Sequence, residues 1–86
     1  MNKDKVMKEY YFGFDDRRQA TNFIESFNDI IDKYGCATLA DAYDAYGQPT
    51  SYLDTKIGWI EKDIGKIVRV IGGNYVVVLP EAIKLG

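Results

Sequence analysis

Apolar and polar positions follow two different periods along the chain, and the change of period marks out its elements. Glu9–Phe14 (EYYFGF) is a short aromatic run rich in β-forming residues and reads as a strand. Asp15 and Asp16 follow it and offer an N-cap and a favourable charge for a helix start. From Asp16 to Tyr34 the residues Ala20, Phe23, Ile24, Phe27, Ile30, Ile31 and Tyr34 recur at helical spacing and form one wide stripe. Glu25, Asp29 and Asp32 fall on the opposite side, and Gly35 stands where the helix should stop.

Thr38-Leu39-Ala40-Asp41 has the form of a capping box with Asp in place of Glu, predicting a second, short helix through Tyr46. Its apolar side holds Leu39, Ala42, Tyr43 and Tyr46, with Asp41 and Asp44 outward; Gly47 and Pro49 end it. Gly47–Gly58 (GQPTSYLDTKIG) has no clear period and is long for a connection in so small a domain, as functional loops often are.

Lys66–Ile71 and Asn74–Leu79 flank Gly72-Gly73 and predict a β-hairpin. With a two-residue turn, Val68, Val70, Tyr75, Val77 and Leu79 share one face, and Ile67, Arg69, Ile71, Val76 and Val78 the other. The first face is expected to meet the helices. The second is apolar enough to need a cover, either a second copy in a homodimer or the N-terminal strand. The expected fold is α+β: a short N-terminal strand, two helices and a C-terminal β-hairpin in a small antiparallel sheet. Residues 1–8 read as a flexible basic arm and residues 9–86 as a single domain.

Composition narrows the function. Eighty-six residues make one small domain with a marginal core, which seven Tyr, four Phe and one Trp help to fill. No apolar run approaches the roughly 18 residues of a membrane span, and no apolar signal-peptide core precedes the first strand, so a cytoplasmic protein is expected. One cysteine and no histidine remove an internal disulfide framework, a cysteine zinc site and histidine-based catalysis. Neither an enzyme nor a cofactor or metal site is expected. Cys36 reads as a packed small hydrophobe.

The net charge of −2 conceals an uneven distribution: residues 9–54 carry −6, and the segments on either side carry +2 each. The candidate partner-binding residues are therefore Glu25, Asp29 and Asp32 on the first helix, Asp41 and Asp44 on the second, and Tyr52 and Asp54 in the loop. Acidic helices of this kind suit a basic protein groove, because complementary fields steer encounter. The same acids also serve as a plain solvated face. A winged-helix arrangement of these elements is conceivable, but its second helix would present only Asp41 and Asp44 to DNA, so nucleic acid is not the expected partner.

The pattern Phe14-x-x-Arg17-x-x-Ala20, Asp32-Lys33-Tyr34-Gly35-x-x-Thr38-Leu39-Ala40-Asp41, Gly58-Trp59 and Asn74-Tyr75 leading to Leu79-Pro80 resembles a group of small phage and prophage proteins. It departs from that group at Ile60-Glu61-Lys62-Asp63-Ile64-Gly65, which is less polar here. The resemblance implies a phage origin. By analogy with small acidic phage proteins such as the anti-CRISPR inhibitors, it implies a non-enzymatic inhibitor of a bacterial defence protein, a CRISPR effector nuclease foremost. Such a protein would work in the cytoplasm of the infected host. The alternatives are a small winged-helix DNA-binding regulator and a phage structural or assembly factor.

Overall fold

Asp16 starts the long helix by accepting a hydrogen bond from the Gln19 backbone N–H, 2.8 Å away, and the Gly35 N–H closes it on the Ile31 carbonyl. The computed structural model describes residues 8–85, so the basic arm expected over residues 1–8 lies, apart from Lys8, outside the described residues. The elements in order are β1 (Tyr10–Phe14), α1 (Arg17–Tyr34), β2 (Ala37–Thr38), α2 (Leu39–Tyr46), a 3₁₀ turn (Tyr52–Thr55), β3 (Ile57–Trp59), β4 (Lys66–Arg69), β5 (Tyr75–Leu79) and β6 (Ile83–Lys84). The protein is α+β, with two three-stranded antiparallel sheets ordered β1-β5-β4 and β2-β3-β6.

The capping box ahead of α2 is complete. Thr38 Oγ1 accepts from the Asp41 N–H, and Asp41 Oδ2 accepts from the Thr38 N–H, both at 3.0 Å. Phe12 of β1 and Phe23 of α1 meet in the core with ring centroids 4.9 Å apart, and the exposed Tyr46 of α2 lies over their edge, its ring 5.2 Å from that of Phe12. Ala20, Phe27, Ile31, Ala37, Leu39, Ala42, Trp59, Val77 and Leu79 complete it. Three elements distant in sequence thus converge on one aromatic cluster, which compensates for the small core of a short chain.

The hairpin closes differently from the two-residue turn expected. β4 and β5 pair with Lys66 opposite Val78, Ile67 opposite Val77, Val68 opposite Val76 and Arg69 opposite Tyr75. The pairing continues to Val70 and Asn74, leaving Ile71-Gly72-Gly73 as a three-residue loop in which both glycines have positive φ, 104° and 91°. A change of one residue in loop length flips every side chain of the preceding strand. Tyr75, Val77 and Leu79 face the helices as expected, but Ile67 joins them while Val68 and Val70 turn outward. The N-terminal strand does not cover that outer face either. β1 runs beside β5 as an edge strand, with Tyr10 opposite Leu79 and Phe14 opposite Tyr75.

The second sheet has no counterpart in the expected strands. It forms because Gly58 lets three short strands come very close: a Cβ there would lie 2.1 Å from the Ala37 carbonyl oxygen and 2.6 Å from Thr38 Cα. Trp59 follows at once, buried, with its indole N–H donating to the Pro80 carbonyl at 2.9 Å. The aperiodic Gly47–Gly58 segment is thereby anchored at its C-terminal end.

Candidate partner-binding surface

Because α1 turns Ala20, Phe23, Phe27 and Ile31 to the core, Glu25, Asp29 and Asp32 point outward and are exposed. The structure adds a segment to this face that periodicity did not single out. Lys62 Nζ lies 2.6 Å from Asp32 Oδ1. Asn28 and Asp63 hold each other twice: Asn28 Nδ2 donates to Asp63 Oδ1 at 3.1 Å, and the Asp63 N–H donates to Asn28 Oδ1 at 3.0 Å. Residues 60–65 are thus fastened along the flank of α1.

This fastening brings Asp63 near Asp29 and Asp32, with Lys62 among them. The Lys62 pKa is raised, first by its hydrogen bond to Asp32 and the attraction of that carboxylate; desolvation opposes this, and Asp63 and Asp29 add lesser attractions. The same loop also lines a pocket of about 290 Å³. Its apolar wall is Ile60, Ile64, Pro80 and Ile83, and Glu61 and Glu81 also line it. Aliphatic surface beside carboxylates suits a lysine or arginine side chain, whose stem packs on hydrocarbon while its head meets the acid.

The remaining candidates divide. Asp41 is committed to the α2 capping box, and Asp54 Oδ2 accepts from the Ser51 N–H at 3.0 Å to start the 3₁₀ turn. Their carboxylates serve local structure before any partner. Asp54 also acts on Tyr10, whose pKa is raised by burial first and then by Asp54 and Glu81. Asp44 stands exposed on α2. Tyr52 is 71% exposed, with Lys56 Nζ 4.8 Å from its ring centroid, so it is displayed and does not close the core. No hydrogen bond or ion pair among the described residues joins Asp44 or Tyr52 to the acids of α1.

A shallow groove of about 630 Å³ between α1 and α2 is of a different kind, with Phe14, Phe23 and Tyr46 against the uncharged Gln19, Asn22 and Ser26. Among the described residues no three His, Cys, Asp or Glu side chains are grouped to hold a metal ion. No helix among them is long and apolar enough to cross a membrane. No protein-family model matches the chain, and no curated protein or solved structure is significantly similar to it.

Proposed function

We propose that this protein acts by binding rather than by catalysis, masking a basic surface of another protein with the acidic face of α1 and the loop fastened to it. The observation that carries the reading is the continuity of that face. Glu25, Asp29, Asp32 and Asp63 lead through the 60–65 loop to the pocket lined by Glu61 and Glu81. At the pocket end carboxylates stand beside hydrocarbon, so an arginine or lysine would find both halves of its chemistry matched there.

A basic groove that normally receives nucleic acid is the surface such a face fits best. The resemblance to small phage proteins makes a bacterial defence protein the partner proposed, with a CRISPR effector nuclease as the leading case and the cytoplasm of an infected cell as the place. Asp44 and Tyr52 are proposed as secondary contacts on α2 and the 3₁₀ turn.

The test is capture of effector nucleases by the immobilised chain, with competition from the nuclease's own nucleic acid. The wild-type chain should retain the nuclease and be displaced by guide RNA or DNA. Glu25→Lys with Asp29→Lys should slow association and weaken its salt dependence, because exposed charges act over about 8–10 Å at physiological ionic strength. Retention that ignores both the charge reversals and added nucleic acid would remove the acidic face from the mechanism. A gel shift showing tight, sequence-specific DNA binding by the chain itself would replace this reading with the DNA-binding regulator.

A further inference from the structure

The outer face of the β1-β5-β4 sheet remains without a cover among the described residues. Residues directly opposite in an antiparallel pair share a face, so the registers place Tyr11, Val78 and Lys66 in one row across the three strands. Gly13, Val76 and Val68 form the next row, with Val70 beyond. Tyr11 is 64% and Val68 45% exposed. Gly13 has no side chain, and a Cβ built on it would meet nothing within 4 Å, so the β1 side of the face is open beside Val76.

The rim of this face carries charge of opposite sign on its two edges. Glu9 lies on the β1 edge, where its carboxylate accepts from the Tyr11 hydroxyl at 2.7 Å, and it lines the patch together with the valines. Lys66 lies on the β4 edge at the same end of the strands, across Val78 from Tyr11. A face with an acid on one edge and a base on the other is self-complementary under one particular twofold axis. With the axis parallel to the strands, β1 of one copy lies over β4 of the other, and Glu9 meets Lys66 twice. With the axis across the strands, β1 lies over β1, and Lys66 is set over the apolar end near Val70 with no acid to meet.

We infer that this chain forms a homodimer by stacking the outer faces of its β1-β5-β4 sheets about a twofold axis parallel to the strands, with Glu9 of each copy paired to Lys66 of the other. The result is a six-stranded sandwich with aligned sheets about 10 Å apart, the ordinary spacing of stacked sheets. Three strands of four to five residues give a flat face on the order of 200 Å² per copy, well under the roughly 800 Å² each partner buries in a standard complex. The dimer is therefore reversible, and the rim pairs decide its geometry. This inference is independent of the target reading, since it uses the opposite side of the sheet from the helices.

Sedimentation velocity and equilibrium on the full chain test it. The wild type should pass from monomer to dimer with rising concentration. Glu9→Lys and Lys66→Glu should each weaken dimerisation about tenfold or more, because each reversal sets like charges together at two symmetry-related places. The double variant should return to within a few-fold of wild type. Val68→Glu, at an already exposed position, should abolish the dimer while circular dichroism and melting remain those of a folded chain. A monomer at every concentration, single reversals without effect, or a double variant no better than the singles would each overturn the inference.

Discussion

Asn28 and Asp63, thirty-five residues apart, exchange two hydrogen bonds, and by doing so they fasten an acidic loop to an acidic helix. The arrangement sets Asp63 at φ 63°, the left-handed region that an Asp side chain tolerates better than most. Asn28→Ala should therefore destabilise by about 1–2 kcal/mol and raise amide exchange across residues 61–64. Asp63→Gly should cost less, since the backbone strain it relieves offsets the lost acceptor. Asp63→Gly also keeps the backbone N–H bond to Asn28, so equal loss in both variants, read by thermal melting, would contradict this account of the pair.

Gly58→Ala is expected to be the most damaging small substitution in the chain. The added methyl would collide with the Ala37 carbonyl and Thr38 Cα, both backbone atoms that cannot turn aside. Overpacking of this kind costs typically 1–3 kcal/mol and more where backbone must move, and here it should separate β3 from β2. Loss of the β2-β3-β6 sheet should also expose Trp59, so its fluorescence should shift to the red. A blue, unshifted emission with an unchanged melting temperature would contradict the close packing.

Two aromatic residues near one another in sequence should respond oppositely. Tyr52→Ala should leave stability within about 0.5 kcal/mol, as exposed substitutions do, because its ring is displayed beside Lys56. Trp59→Ala should cost about 3–5 kcal/mol, since it removes a buried ring and orphans the Pro80 carbonyl. Denaturant melts of both variants check the contrast. Asp41→Ala should fall between them, at about 0.5–2 kcal/mol for a lost helix cap.

Stability should decline at alkaline pH. The pKa values of Tyr10 and Tyr11 are raised from 10.0 and that of Lys62 from 10.5. Burial is the first cause at Tyr10, the hydrogen bond to Glu9 at Tyr11, and the hydrogen bond to Asp32 at Lys62. A group whose folded pKa lies above its unfolded one stabilises fully below the unfolded value, and that contribution fades as pH rises through the folded value. These three groups should leave the melting temperature flat through neutrality and lower it above about pH 10. Tyr10→Phe should shallow the alkaline decline. An identical pH profile in that variant would remove Tyr10 from the linkage.

Local pattern alone determined both helices, because caps and a 3.6-residue period act within a few residues of one another. Asp16 and the Thr38–Asp41 box stand where the helices begin, and the acids of α1 face outward because Ala20, Phe23, Phe27 and Ile31 face in. The β-forming runs likewise marked β1, β4 and β5. What the sequence could not carry was anything decided by a non-local partner or a one-residue difference in a turn. The Ile71-Gly72-Gly73 loop reverses β4, exchanging Ile67 for Val68 and Val70 on the open face. The strands of the second sheet are two or three residues long, too short to show a period, and exist only because Gly58 lets distant chains touch. Only the folded chain sets Asn28 against Asp63 and Asp32 against Lys62, and only it commits Asp41 and Asp54 to caps. Spacing reports which residues share an element's face; the closure of long loops decides which faces meet.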